Sequence, residues 1–296
     1  MQSAGTVHLQ PFIVNHLPFM SSFVRRVITA VFFVAVMIGG VYAHPYTFVG
    51  LFGLITAGAI WEYLNLALAE TKSRRDVNRK FLGLALGIIP YILVANYQLG
   101  VIHTSKYVLY ATFLMLPLIF LAFVYELYTA SEKPFANIGI LILGMVYIGI
   151  PFALLLLLGF YQEQFTPNII FGLLAMTWMN DTGAYLVGSQ IGKTKLFPRI
   201  SPNKTWEGSA GGVVITFIVG YLLSLLFKDL RLQDWLVLAG IIALFGSIGD
   251  LIESMLKRSL NIKDSGTILP GHGGILDRFD AFIFLIPFAA AYLLLL

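Results

Sequence analysis

The 296-residue sequence contains no cysteine and few charged side chains. The absence of cysteine excludes disulfide bonds, thiolate nucleophiles and cysteine-ligated metal sites. Charged residues make up 11% of the chain, hydrophobic residues make up 58%, and the mean hydropathy is +0.84. Soluble domains carry about 25% charged residues, so this composition indicates an integral membrane protein.

Lys and Arg are also absent from residues 1–22, so the sequence does not open with the basic region of a secretory signal peptide. We expect residues 1–26 to form an N-terminal tail or an interfacial segment. Residues 27–160 are predicted to form an N-terminal transmembrane scaffold, and residues 161–296 a C-terminal transmembrane catalytic region. The sequence shows no repeat period and no low-complexity tract.

Long apolar stretches are what the sequence has in abundance. A transmembrane barrel would show short alternating segments, whereas continuous runs of about 20 apolar residues indicate membrane helices. We therefore predict an all-α integral membrane protein with about nine transmembrane helices. The apolar stretches lie near residues 27–43, 46–69, 80–97, 107–128, 136–159, 168–188, 209–227, 235–252 and 276–296.

The distribution of basic residues predicts how these helices are oriented. Basic loops usually face the cytoplasm. Alternation of nine spans places all of the 19 Lys and Arg residues except Lys106, Lys228 and Arg231 on the side of the N-terminus. Two long loops rich in glycine and charge, at 188–212 and 256–274, lie on that side as well. We predict a cytoplasmic N-terminus and a polar cavity at the cytoplasmic side.

We single out five carboxylates of the C-terminal half that lie in or beside the cytoplasmic ends of predicted spans. Charge within a membrane is costly and usually functional. Carboxylates brought together repel one another unless a cation lies among them, and such oxygen ligands suit Mg²⁺. Alternatively, each carboxylate pairs with a nearby basic residue as a helix-end anchor, for example Glu253 with Lys257. The five residues are Asp181, Asp250, Glu253, Asp277 and Asp280.

The loop at 188–212 combines lysines with glycine and proline turns. Ser201 and Pro202 predict the start of the next helix, and a helix N-terminus beside lysines binds phosphate well. The run GSQIGKT is not a P-loop, because it has three residues between its glycines where Walker A has four. In the second loop, LPGHGG offers backbone N–H groups to an anion. His272 in that run is either a proton donor or a structural residue.

Both loops extend into longer stretches of mixed chemistry. SMLKRSLNIKDSGTILPGHGGILDRFD, residues 254–280, resembles the signature of the phosphatidate cytidylyltransferases, also called CDP-diacylglycerol synthases. NDTGAYLVGSQIGKTKLFPRISPNKTWEGSAGG, residues 180–212, is similar to a second stretch typical of that family. The helices before residue 168 resemble the family only in hydropathy.

The resemblance implies transfer of the cytidylyl group of CTP to phosphatidic acid, giving CDP-diacylglycerol and pyrophosphate in phospholipid biosynthesis. It also implies a Mg²⁺ cofactor, with a second cation as an open alternative, and a homodimer in the lipid bilayer of the inner cell membrane. The implied active site faces the cytoplasm and has no nucleic-acid partner.

The resemblance also implies roles for individual residues. The metal ligands would be Asp250, Asp277, Glu253 and Asp280. The catalytic residues would be Asp250, Asp277, Lys257, Arg258, Lys263, Asp264, His272 and Arg278. The substrate-binding residues would be Asp181, Lys193, Lys195, Ser201, Lys204, Thr205, Glu207, Gly273 and Gly274.

Two other functions compete with this interpretation. A transporter would also carry intramembrane carboxylates, but transporters place their sites near the bilayer midplane and show repeat symmetry. Here the charges gather at one edge and the two halves do not resemble each other. A CDP-alcohol phosphotransferase would carry a DG…AR…G…D…D pattern, which the sequence lacks.

Overall fold

A computed structural model describes residues 22–68, 74–102, 105–129, 131–262, 265–266 and 273–295. Helices α5 and α6 are continuous through a π-helical turn at Met145–Gly149, and α9 and α10 through another at Ile242–Gly246. The described residues therefore contain nine continuous helical segments, one at each predicted apolar stretch. The helices are α1 (Ser22–Tyr42), α2 (Pro45–Ala67), α3 (Arg74–Gln98), α4 (Ser105–Thr129), α5 (Pro134–Gly144), α6 (Ile150–Gly159), α7 (Pro167–Ile191), α8 (Trp206–Leu226), α9 (Leu232–Ile241), α10 (Ser247–Ser259) and α11 (Leu276–Leu294).

Five of these segments, within the part of the chain that the structure describes, are long and apolar enough to cross a membrane. The prediction of an integral membrane protein is therefore confirmed. Helix α7 contains Asn180 and Asp181 within its length, and α11 carries Asp277, Arg278 and Asp280 in its first turns. The five segments are Pro45–Ala67, Asp76–Gln98, Pro134–Glu163, Trp206–Leu226 and Leu232–Ser259.

Polar contacts join helix ends at the predicted cytoplasmic side. Lys80 Nζ donates to Asn65 Oδ1 at 2.8 Å, which joins the start of α3 to the end of α2. Arg79 forms a buried ion pair with Glu126 near the end of α4. Asn137 near the start of α5 donates to the same carboxylate at 3.2 Å. The ends of α2 and α4 thus lie beside the starts of α3 and α5.

A second group of contacts joins the opposite helix ends. Tyr42 at the end of α1 donates to Asn168 at the start of α7, with an O···O distance of 3.0 Å. Tyr292 near the end of α11 donates to Asp234 at the start of α9, at 2.9 Å. These pairings are those expected when successive helical segments run in alternating directions.

A short β-hairpin connects α7 to α8. Strands β1 (Lys195–Phe197) and β2 (Ser201–Thr205) pair antiparallel, with Lys195 opposite Thr205. The all-α prediction is corrected by this hairpin. The predicted helix start at Ser201 and Pro202 is also wrong, since both belong to β2. Helix α8 begins at Trp206 because Thr205 is its N-cap and accepts a hydrogen bond from the Gly208 N–H at 3.2 Å.

Small residues allow α7 and α8 to approach closely below the hairpin. A Cβ atom on Gly212 would lie 2.8 Å from the backbone and side-chain oxygens of Asn180. Asn180 Oδ1 also accepts from the buried Thr216 hydroxyl at 3.1 Å. Close helix contact through glycine is typical of membrane proteins. This packing fixes Asp181 on α7 relative to Lys204 on β2.

Helix α11 lies at the centre of the bundle. The Phe279 ring in its first turns lies 6.5 Å from the Phe52 ring of α2 and 6.0 Å from the Phe152 ring of α6, between centroids. Phe279 is 3% exposed, so packing against two helices of the predicted N-terminal scaffold anchors the start of α11. This packing also fixes the position of the charged residues next to Phe279 in the first turns of α11.

Candidate functional site

Carboxylates and lysines meet where α7, α10, α11 and β2 come together. Lys204 Nζ lies 2.5 Å from Asp250 Oδ2 and joins the hairpin to α10. Lys257 forms ion pairs with Glu253 on its own helix and with Asp277 on α11, the latter at 2.8 Å. We call this group the carboxylate–lysine cluster. Its members are Asp181, Lys204, Asp250, Glu253, Lys257, Asp277 and Asp280.

Two of the aspartates, Asp181 and Asp280, belong to the cluster because of their electrostatic interactions with its other members. Asp280 interacts electrostatically with Asp250 and Asp181. Asp181 in turn interacts with Lys204. The cluster thus contains five carboxylates but two lysines, so negative charge is in excess when all groups are ionised. Such an excess favours a bound cation or protonation of some carboxyl groups.

One of the two predicted uses of the carboxylates, pairing with basic residues, is seen in the cluster. The helix-end pairing of Glu253 with Lys257 is present. Asp250 has no basic neighbour within a helical turn of the sequence, but its partner Lys204 comes from the hairpin, 46 positions earlier by residue number. The resemblance placed Lys204 and Asp250 in one site, and the structure brings them into direct contact.

Asp277 accepts hydrogen bonds from three other residues of the C-terminal half. Its Oδ2 atom accepts hydrogen bonds from the backbone N–H groups of Ser265 and Gly274, each at 2.9 Å. Its Oδ1 atom accepts from Lys257 at 2.8 Å. Gly273 has a φ of +81°, and a Cβ atom there would lie 2.6 Å from Asp277 Oδ2. Glycine is therefore required at this turn both by its left-handed backbone and by its closeness to the carboxylate.

Several predicted substrate-binding residues shape the hairpin. Glu207 accepts hydrogen bonds from the backbone N–H groups of Lys193 and Thr194, at 3.1 Å each, and so closes the hairpin at its base. Thr205 is 4% exposed and its hydroxyl caps α8. The observed contacts of Glu207 and Thr205 therefore orient the loop that carries Lys204.

Other predicted residues lie at exposed positions or in the elements around the cluster. Lys193, Lys195 and Arg278 are exposed, and Ser201 begins strand β2. Arg258 donates to the Ile200 carbonyl at 3.5 Å and so links the end of α10 to the hairpin. Three further predicted site residues fall outside the described residues: Lys263, Asp264 and His272.

Glu62 of α2 was missed by the sequence analysis. It is 5% exposed, and its Oε2 atom accepts from the Leu276 N–H at 2.9 Å, at the start of α11. A lone carboxylate in the apolar run AGAIWEYLNLA is a signal that could have identified it. Its partner is 214 positions away in the sequence, so the contact itself was not predictable.

Tyr147 is a second residue missed in the N-terminal half. It lies in the π-helical turn at Met145–Gly149, and its hydroxyl is buried with no hydrogen-bond partner among the described residues. It interacts electrostatically with Asp280 and Glu253. Such turns often occur at functional sites. The region predicted to be scaffold thus contributes side chains beside the cluster.

The cluster can be compared with the needs of the predicted Mg²⁺. Among the described residues, no group of three or more His, Asp or Glu side chains lies close enough to hold a metal ion by itself. Mg²⁺ in phosphate-transferring sites typically uses one or two carboxylates and completes its shell with water and substrate phosphates. Asp250 and Asp280, which interact electrostatically with each other, fit that smaller requirement.

The chain is similar to one protein family and to individual named proteins. The Cytidylyltransferase family matches residues 24–296. A protein of Bacillus subtilis (strain 168) named phosphatidate cytidylyltransferase is 42% identical over 171 residues, which is 57% of this chain and 63% of that protein. A protein of the same name from Staphylococcus aureus (strain COL) is 44% identical over 177 residues, 57% of this chain and 65% of that protein.

The matched region covers less than two thirds of either relative's own length. The family match, by contrast, extends over nearly all of this chain and includes both stretches on which the resemblance was based. The predicted family is thereby confirmed. The chain belongs to the cytidylyltransferase family.

Proposed function

We propose that this protein transfers the cytidylyl group of CTP to phosphatidic acid, giving CDP-diacylglycerol and pyrophosphate. The observation that carries the proposal is the carboxylate–lysine cluster. Its members come from the two stretches that resemble the phosphatidate cytidylyltransferases, residues 180–212 and 254–280. Two lysines placed among carboxylates suit a site for phosphate groups. The relatives named phosphatidate cytidylyltransferase support the same reaction.

The reaction needs no nucleophile from the protein. An oxygen of the phosphatidate phosphate attacks the α-phosphorus of CTP, and the bond from that phosphorus to the oxygen bridging to the β-phosphate breaks. Negative charge develops on the phosphoryl oxygens and on the leaving pyrophosphate. Lys204 and Lys257 would neutralise this charge and orient the phosphates. Both lysines are held in place by carboxylates, so their positions are set before substrate binds.

We also propose a Mg²⁺ cofactor, with Asp250 and Asp280 as the residues best placed to hold it. Asp277 is less available, because its two oxygens already accept from Lys257 and from two backbone N–H groups, and Glu253 is less available because its side chain is fully buried beside Lys257. When bound, Mg²⁺ would supply positive charge that offsets the phosphates of CTP. The excess of carboxylates over lysines in the cluster supports this proposal. Metal titration distinguishes one bound Mg²⁺ from the alternative with a second cation.

Nine membrane crossings with a cytoplasmic N-terminus form part of the same proposal. The polar contacts between helix ends support alternation, since each joins ends that nine alternating crossings place on one side. The positive-inside distribution supports a cytoplasmic cluster, in a polar cavity at that face of the inner cell membrane. This placement lets a water-soluble nucleotide and a membrane lipid reach one site. We propose a homodimer as the assembled form, by resemblance to the family.

The proposal is tested with purified protein in detergent micelles containing phosphatidic acid. We expect CDP-diacylglycerol, identified by mass spectrometry, when CTP and Mg²⁺ are both present. Omitting phosphatidic acid, or replacing CTP with ATP, should abolish the product. A folded protein that forms no CDP-diacylglycerol under any of these conditions would contradict the proposal.

A further inference from the structure

Glu62 joins the N-terminal half of the chain to the loop that leads into α11. Its Oε2 atom accepts the Leu276 N–H at 2.9 Å and lies 3.5 Å from the Ser265 hydroxyl. Leu276 is fully buried and Ser265 is 5% exposed. Glu62 therefore contacts both described ends of the segment between residues 265 and 276.

Asp277 also contacts the two described ends of this segment. It accepts the backbone N–H groups of Ser265 and Gly274, whereas Glu62 takes the Ser265 hydroxyl and the Leu276 N–H. Two carboxylates, one from α2 and one from α11, therefore hold the segment's ends. Asp277 also pairs with Lys257, so the backbone that Glu62 contacts is linked to the cluster through Asp277.

The glycines beside Glu62 fit it closely. A Cβ atom on Gly266 or Gly274 would collide with the Glu62 carboxylate. The backbone at both positions thus packs directly against this side chain. The Glu62 Oε1 atom is buried and has no hydrogen-bond partner among the described residues. A buried carboxylate is costly, and the N-terminus of α11 offsets only part of that cost.

We propose that Glu62 is a positioning residue, which fixes the Gly273–Gly274 backbone and the first turn of α11 and thereby orients Asp277 against Lys257. The kinetic part of this inference rests on the proposed function. Glu62 does not contact substrate in this account, and it acts through Asp277 and the glycine backbone. The inference makes α2, from the predicted scaffold, a determinant of the site's geometry.

The test compares Glu62→Ala and Glu62→Gln with Glu126→Gln in the full-length protein. Glu126 is a matched control, because it is also a buried carboxylate, 2% exposed, but its contacts are with α3 and α5. Hydrogen exchange is measured in peptides covering residues 265–280. The KM for CTP, kcat and the melting temperature are measured in parallel.

We expect Glu62→Ala to speed exchange at the Leu276 amide and to raise the KM for CTP at least about tenfold, with a smaller change in kcat, because a charge-assisted hydrogen bond is lost. Glu62→Gln keeps a carbonyl acceptor and should show a smaller effect of the same kind. Glu126→Gln should lower the melting temperature without changing exchange at residues 265–280 or the KM for CTP.

Two results would overturn the inference. One is unchanged exchange at residues 265–280 in Glu62→Ala. The other is an activity loss in Glu62→Ala that follows only the fraction of folded protein. If the unsubstituted protein does not turn over CTP, the proposed function fails, while the exchange measurement still decides whether Glu62 positions this segment.

Discussion

Each lysine of the cluster touches carboxylates from a different part of the chain. Lys204 connects the hairpin to α10 through Asp250, and Lys257 connects α10 to α11 through Asp277. The Lys204 side chain is 25% exposed and the Lys257 side chain 15%, so both stay partly accessible. A lysine ammonium is a compact charge on a flexible stem, which can exchange a carboxylate for a substrate phosphate.

Replacing Lys204 with methionine tests whether this charge serves the reaction. Lys204→Met keeps the side-chain length and removes the ammonium. We expect kcat/KM to fall at least about tenfold, which corresponds to roughly 1.4 kcal/mol of transition-state stabilisation. Lys80→Met is the control, because Lys80 also bonds to a neighbouring helix, through Asn65. Equal small effects in both variants would show that Lys204 only sets membrane orientation.

Asp250→Asn tests the carboxylate opposite Lys204. The amide keeps the shape of the side chain but loses the charge needed to hold Mg²⁺. We expect turnover to be lost while the melting temperature stays close to that of the unsubstituted protein, since Asp250 is partly exposed and makes one other described side-chain contact, with Ser254. Near-normal turnover in this variant would remove Asp250 from the site.

Individual site residues were predictable where charge stood out against an apolar background. The aspartates of α7, α10 and α11 were found in this way, and the resemblance grouped them. The partners of the site residues were harder to predict. The Lys204–Asp250 and Glu62–Leu276 contacts depend on how distant parts of the chain pack. Local sequence rules describe neighbours within a helical turn and contain no information on such pairs.

At the scale of elements, helix positions followed from apolar runs, because each run must satisfy its backbone internally within lipid. The hairpin between α7 and α8 was not predicted. Ser201 and Pro202 gave a helix-start signal, whereas in the structure they belong to the strand that pairs with Lys195–Phe197, and the helix starts after the N-cap Thr205. The π-helical turns also escaped prediction, because one inserted residue leaves the apolar pattern almost unchanged.

Gly212→Ala tests the close packing of α7 against α8. The added methyl group would meet the Asn180 oxygens, so the helices must separate, and overpacking of this kind costs about 1–3 kcal/mol. We expect a lower melting temperature and reduced turnover, because Asp181 shifts relative to Lys204. Gly139→Ala is the control, since no atom lies within 4 Å of a Cβ atom there. Equal stability of the two variants would contradict this account of the packing.

For the whole molecule, the account requires that the hairpin and the loop before α7 lie on opposite sides of the membrane. The absence of cysteine makes single-cysteine labelling unambiguous. We expect Pro198→Cys to react only with reagent on the cytoplasmic side and Gln164→Cys only with reagent on the external side. Labelling of both positions from one side would contradict nine alternating crossings.

The central claim is that the carboxylate–lysine cluster transfers the α-phosphorus of CTP to a membrane lipid. The most direct measurement follows CTP labelled at the α-phosphorus or the γ-phosphorus, supplied to purified protein in vesicles that contain phosphatidic acid. The account predicts that the α label enters the lipid fraction and the γ label is released as pyrophosphate, in equal amounts, and that Asp250→Asn loses both. Release of the γ label as inorganic phosphate, with no α label in lipid, would contradict it.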